Sequence, residues 1–331
     1  MKKEIGLFVL LVVLCVAVCG VELGKQLHHG VTISHLALPR FLSQANLTNT
    51  ANVIGMFGVF SIGLGLIIIT GGIDLSVGSM FALTGVVLAA ALTEWHWPWL
   101  LGVLIVVVIT MGLGWCHGAL ITKVGMQPFI VTLCGLLLYR GIARFIAEDA
   151  TKGFGSAEGF ETLRYLAAGK LLGVPMPFIV LIIISIIMWI VLHRSVYGRY
   201  LLAVGRNEEA ARFSGINTRR VIASAYVIGG LLTGIAAIML AFYTNSISPS
   251  THGNFYELYG IAAAVLGGCS LRGGEGSIIG VLIGTSLLQV LQNLVNLLEI
   301  PSSLNFAVMG AVVLIGVLTD QLLQKRRSKK A

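Results

Sequence analysis

Long apolar runs, punctuated by glycine, proline and short charged clusters, follow one another along this chain with little between them. A transmembrane helix needs about 20 predominantly apolar residues. Runs of that order lie near 5–22, 50–70, 76–93, 98–121, 128–147, 176–193, 219–242, 258–270, 277–297 and 303–320. The pattern predicts an all-α polytopic membrane helix bundle of about ten spans, a single transmembrane domain covering residues 1–331. The eighth run is short and reads as broken or re-entrant. The first follows Lys2 and Lys3, and its Val16-Ala17-Val18-Cys19 faintly resembles a lipoprotein box. Val18 is too large for that box and many apolar segments follow, so an uncleaved first helix is expected.

Composition strengthens this picture: 56% of the 331 residues are hydrophobic and 11% are charged, which leaves no room for a soluble catalytic domain. The formal net charge of +8 is spread over short loops and the C-terminus rather than one folded face, so it reads as topology information and not as a nucleic-acid footprint. Cytoplasmic loops retain lysine and arginine. The basic tail at 321–331, with Lys325, Arg326, Arg327, Lys329 and Lys330, is therefore expected inside, as is the loop over 194–218 with Arg199, Arg206 and Arg212. An even number of spans also brings Lys2 and Lys3 to that face, leaving both termini cytoplasmic. Trp95, Trp97 and Trp99 around Pro98 suit an outer headgroup layer. The mixed charges of 148–174 read as a small solvated outer cap. Cys15, Cys19, Cys116, Cys134 and Cys269 form no Cys-x-x-Cys pair and are taken as small buried hydrophobes. The seven histidines lack ligand spacing; His28, His29 and His35 read as a solvated outer loop, and neither metal nor cofactor is implied.

Two glycine-rich interruptions carry the first candidate chemistry. In Gly71-Gly72-Ile73-Asp74-Leu75-Ser76-Val77-Gly78-Ser79 the glycine pair weakens the helix, and Asp74 can accept bonds from the amides that open the next one. Asp74 is then either a structural cap or part of a pathway, because an acid this close to hydrocarbon needs partners. The second interruption runs from Gly267 and Gly268 through Ser270, a possible cap, to Gly276. Two discontinuous helices in opposite halves are the sequence mark of a transporter core. Gly276, Gly280 and Gly284 follow at four-residue spacing, a face that lets helices approach closely in lipid. Gln289, Gln292, Asn293 and Asn296 then make a polar stripe on the same span. The stripe suits a path for a hydroxylated neutral solute, or interhelical hydrogen bonding.

In the basic loop, Glu208-Glu209-Ala210-Ala211 is followed by Gly215. A short helix with alanines on a close-packing face, ended by glycine, can fit a groove and transmit a rigid push. From Asn46 to Leu318 the chain resembles the ribose, galactose and xylose class of ATP-binding-cassette (ABC) permeases, a class that includes autoinducer importers. The resemblance is carried by Gly71 to Ser79, by Gly205-Arg206-Asn207-Glu208-Glu209-Ala210-Ala211 through Gly215-Ile216, and by Leu266-Gly267-Gly268 through Gly276. It implies a sugar permease of the bacterial inner membrane working by alternating access, with the loop around Glu209 docked on cytoplasmic ATPase subunits. It also implies a periplasmic sugar-binding protein and a second permease, either another copy or a related chain. Cys269 stands where that class usually has a small hydroxyl residue, and Gln289 and Val290 where it often has another glycine.

Other functions fit the residues less well. No G-x-x-x-x-G-K-[ST] loop is present, so ATP binding is expected on a separate subunit. An ion-coupled carrier would bury ionisable groups in its spans, yet they are scarce; Asp74 and Glu275 flank glycine breaks, and His117 and His193 fall near span ends as interfacial residues. An intramembrane enzyme would need paired carboxylates, an H-E-x-x-H helix or a nucleophile motif, and the sequence has none. Within the transporters, a branched-chain amino-acid permease is the alternative to a sugar permease.

Overall fold

Every apolar run that lies within the described residues folds as a helix. The structure, a computed structural model, describes residues 2–28, 38–155 and 157–298, together with 300, 301, 304, 307, 308, 310, 311 and 314. The expected run at 303–320, the basic tail at 321–331, and His29 and His35 lie mostly or wholly outside them. In chain order the helices are α1 (Lys2–His28), α2 (Gln44–Ile69), α3 (Val77–Thr93), α4 (Trp99–Ala119), α5 (Pro128–Ala147) and α6 (Glu161–Ala168). A hairpin of β1 (Lys170–Leu171) and antiparallel β2 (Val174–Pro175) leads to α7 (Met176–His193), α8 (Val196–Arg206) and α9 (Glu208–Phe213). Then come α10 (Thr218–Thr244), α11 (Tyr256–Leu266) and α12 (Ile278–Leu297).

Among the described residues seven helices are long and apolar enough to cross a membrane: α1, α2, α4 with its continuation to Val124, α5, α7, α10 and α12. The other two apolar helices, α3 with 17 residues and α11 with 11, fall short. At the rise of an α-helix they reach only about 25 and 17 Å, against about 30 Å of hydrocarbon. The eighth run therefore ends at Leu266, four residues before the expected boundary, because Gly267 and Gly268 halt the helix.

Packing is organised around α2, which is buried without interruption from Gly55 to Ile69 and is flanked by α7, α10, α11 and α12. Helix α10 is wedged between α2 and α4 through small residues: Gly63 faces Gly229, while Gly114 and Gly118 press on the backbone of Tyr226 and Ala223. In lipid, where burial of apolar surface gives little drive, such close backbone approach supplies the association energy. The outward faces of α1, α4, α5 and α7 are apolar, with Phe8, Leu104, Leu137, Phe145 and Ile187 exposed. Cys116 and Cys134 stand on those faces and are exposed, contrary to the expectation for them; Cys269 is buried, and Cys15 and Cys19 are half-buried. A thiol is apolar enough to face lipid as readily as a core.

The two ends of the bundle differ. At one end the Trp95 and Trp97 rings meet at a tilt, 5.2 Å apart, and the segment around α6 packs on the neighbouring ends of α3, α4 and α10. That cap has a solvated face, as its charges predict, but also an apolar underside: Phe154 stacks on Phe242 at 4.2 Å, beside Phe160 and Ile247. Lys152 pairs with the backbone of Ile247 in both directions and meets the Glu94 carboxylate at 2.5 Å. The opposite end carries α8 and α9, and the start of α1 joins it through Glu4, which accepts from the Ser277 hydroxyl at 2.5 Å.

Candidate functional site

The chain leaves α2 at the α8–α9 end through Gly71, whose φ of +83° no residue with a side chain adopts easily. It then returns into the bundle through 72–76, which form no regular secondary structure, before α3 begins. Gly72 lies against the Tyr226 hydroxyl, and the same hydroxyl donates to the Ile73 carbonyl at 3.4 Å. Asp74 is 3% exposed, and its Oδ1 accepts from both the Ser76 amide (2.8 Å) and the Ser76 hydroxyl (2.6 Å). This is the turn an aspartate makes with its own backbone two residues on.

The other carboxylate oxygen of Asp74 lies 3.9 Å from His117 Nδ1, on α4. His117 Nε2 in turn pairs with the Tyr139 hydroxyl of α5 at 2.7 Å. His117 is 2% exposed, so it does not reach the interface as its position near a span end predicts. It is held inside because α5 offers it a phenol and the α3 break offers it an acid. Thr132 Oγ1, also on α5, stands 3.0 Å from the Pro128 carbonyl and 3.2 Å from that of Ile73.

One turn along α3, Gly78 is held from two sides. The carboxyl of Glu257, in the first turn of α11, lies so close to its Cα that any side chain there would collide with it. The Gly78 carbonyl accepts from Arg140 of α5 at 3.1 Å. Arg140 also donates to His252 O at 2.7 Å and Pro249 O at 3.2 Å, in the loop before α11. Sequence reasoning singled out none of Arg140, Glu257, Tyr139 or Tyr226. An arginine within one apolar run and a glutamate at the edge of another were the available signal.

The second break is built differently. Gly267 and Gly268 end α11, but Ser270 caps no helix: its hydroxyl accepts from the Arg272 amide at 3.3 Å within a turn closed by Ser270 N to Glu275 O at 3.0 Å. The cap of α12 falls to Ser277, which accepts from the Gly280 amide at 3.4 Å. Leu271, Arg272 and Glu275 are exposed. Gly280 and Gly284 bring α12 onto the end of α11 so closely that any side chain would run into the Gly267 and Ala263 carbonyls, while Gly276 sits between Ile69 and the Cys269 sulfur. The two breaks meet at the α8–α9 end, where the Gly274 amide donates to Ile69 O at 2.9 Å and Gly205 of α8 packs against both.

The amide stripe lies away from this centre. Asn293 exchanges side-chain hydrogen bonds with Asn46 at the start of α2, at 2.7 and 3.1 Å. Gln289 is buried, Gln292 half-buried and Asn296 exposed. On the coupling segment, Asn207 caps α9 by accepting from the Ala210 amide at 2.9 Å, and Gly215 closes it at a φ of +85°. Ala211 is buried beneath, whereas Glu208, Glu209, Ala210 and Phe213 face outward, Phe213 with 79% exposure.

Among the described residues no group of three or more His, Cys, Asp or Glu side chains could hold a metal ion. Most of the buried polar set pairs donors with acceptors across four helices, an arrangement suited to holding segments in register, while His117 Nδ1 and His252 Nε2 have no hydrogen-bond partner.

A sequence profile described as "Branched-chain amino acid transport system / permease component" matches residues 46–317. The chain is 38% identical to the ribose import permease protein of Bacillus subtilis (strain 168), over 88% of its own length and 89% of that protein's. It is 37% identical to the ribose import permease protein of Escherichia coli (strain K12), covering 86% and 88% of the two chains. Identity to the D-allose transport system permease protein of Escherichia coli (strain K12) is 32%, over 86% of each. No solved structure matches the chain.

Proposed function

The chain belongs to the permease family described as a branched-chain amino acid transport system component, and from that membership we propose that it is the membrane-spanning subunit of an ABC importer for a monosaccharide. The carrying observation is that relatives named as ribose and allose permeases align over nearly the whole of both chains. The subunit sits as a multi-pass protein in the bacterial inner membrane, surrounded by lipid, with about ten apolar segments in the sequence, some of them broken or re-entrant, and both termini on the cytoplasmic side.

ATP is bound and hydrolysed by separate cytoplasmic ATPase subunits, which dock on 194–218. The outward residues Glu208, Glu209 and Ala210 of α9, with Phe213, enter a groove on the ATPase, and Gly215 lets the chain turn away. The closing motion of the ATPases reaches the breaks at Gly71, Gly72, Asp74 and Ser76 and at Gly267, Gly268 and Ser270 through α8, whose Gly205 touches both. A periplasmic sugar-binding protein delivers substrate, and a second permease, identical or related, completes the path. In this reading Gly276, Gly280 and Gly284 pack α12. Asn293 ties it to α2, and Gln289, Gln292 and Asn296 are the amides available to sugar hydroxyls.

A branched-chain amino acid is the second reading, favoured by the description of the family itself. Reconstitution with candidate ATPase and binding-protein partners, supplied with radiolabelled pentoses, hexoses and leucine, separates the two. Uptake of a sugar but not leucine is expected; leucine uptake alone would overturn the sugar assignment.

A further inference from the structure

Helix α5 carries one cation into the bundle. Arg140 stands seven residues before the helix end at Ala147, about 10 Å along the axis. A charge at that depth is expensive unless its donors are met. Here they are met by main chain: the carbonyls of Gly78, Pro249 and His252 each accept from the guanidinium. Glu257, itself 6% exposed and set against the same Gly78, is an acid close enough to act on its charge. His252, also buried, presents a ring close to Gly85 of α3.

Gly78 is thus held on two sides, its Cα against the Glu257 carboxyl and its carbonyl by Arg140. These contacts join exactly the elements too short to cross the membrane, α3 and α11, and the loop between α10 and α11. Any apolar side chain would fill the same volume on α5, and a lysine would supply the same charge. What neither supplies is a planar fork able to reach carbonyls on two separate segments at once.

We infer that Arg140 is a positioning residue of the transport cycle, binding the first turns of α3 and α11 and the loop at 245–255 into one unit that moves as a body. Displacement of the two breaks at the α8–α9 end is then carried to the opposite end of the bundle rather than dissipated in a slack loop. This inference rests on the importer reading for its transport consequence, but the clamp itself is independent of it.

The test compares wild type, Arg140→Lys, Arg140→Gln, Glu257→Gln and the double variant Arg140→Gln/Glu257→Gln in the full permease, assembled with its ATPases and binding protein in proteoliposomes. Arg140→Lys should lower the maximal uptake rate about tenfold or more, the scale of losing a charged hydrogen bond, while KM changes less than about twofold and ATP hydrolysis persists. Arg140→Gln should lose thermal stability because Glu257 is left buried without its countercharge, and the double variant should regain that stability without regaining uptake. Recovery of uptake together with stability, or wild-type uptake by Arg140→Lys, would reduce Arg140 to a charge compensator and overturn the proposal. Amide hydrogen exchange over 248–254 in the full chain gives a readout that needs no substrate. It should accelerate about tenfold in Arg140→Lys, and an unchanged rate also overturns the clamp. Failure of the wild-type complex to take up any sugar would instead strike the importer reading alone.

Discussion

The two glycine-rich breaks look alike along the chain, yet they solve opposite problems. The first returns into the bundle, where its polar groups find partners inside: Asp74 in Ser76, His117 Nε2 in Tyr139, and the Gly78 carbonyl in Arg140. The second stays at the α8–α9 end, where Arg272 and Glu275 are exposed and water can serve as partner. Its constraint is steric, set by the approach of α12 to α11 at Gly280 and Gly284. Similar glycine pairs therefore mark a change of direction in both places, while the surroundings decide whether hydrogen bonds or packing make the residue indispensable.

That contrast breaks first at Gly280. In Gly280→Val the new side chain would meet the Gly267 carbonyl, and a cost of about 3 kcal/mol or more is expected, seen as lost folded yield and a lowered melting midpoint. Asp74→Leu comes next. It strands the Ser76 amide and hydroxyl inside the bundle, and should cost about 2–3 kcal/mol with uptake lost alongside. His117→Phe keeps the ring volume but removes the Tyr139 partner, for about 1–2 kcal/mol. Ser270→Ala, the counterpart in the second break, should change the midpoint by no more than about 0.5 kcal/mol would. A loss at Ser270 as large as that at Asp74 would erase the distinction between the breaks.

The smallest effect lies at the capped end. Arg144 donates to both carboxylate oxygens of Asp149 at 2.6 and 3.2 Å, which holds that carboxyl below the usual range. A carboxyl depressed in the folded state contributes stability above its unfolded pKa and loses it as pH falls through the folded one. Both side chains are more than half exposed, so water screens the pair. Asp149→Asn should move the melting midpoint by about 1 °C or less at neutral pH, and that small difference should vanish in acid.

Much of the bundle was legible because lipid demands long apolar runs, and nine of the expected runs meet helices. The count of ten itself rests partly on 303–320, which lies mostly outside the described residues. Less legible was whatever depends on a partner distant in sequence. His117 has the position of an interfacial histidine, and only the Tyr139 phenol and Asp74, 22 and 43 residues away, explain its burial. Arg140 left even less trace, because the groups that accept from it are carbonyls, which every residue carries. The cap of α12 was misplaced at Ser270 for a similar reason: a serine can close a turn or a helix, and the backbone beyond Gly273 and Gly274 decides which. In the cap around α6 the charges revealed the solvated face but not the Phe154–Phe242 stack beneath it.

The central claim is that force enters at α9 and passes through α8 to both breaks. It is tested most directly by uptake in proteoliposomes containing the permease, its ATPases and its binding protein, with ATP or an imposed ion gradient as alternative energy sources. Sugar accumulation that requires ATP, and that disappears in Gly215→Glu while the permease stays folded, is the predicted result. Uptake driven by the ion gradient without any ATPase would contradict it.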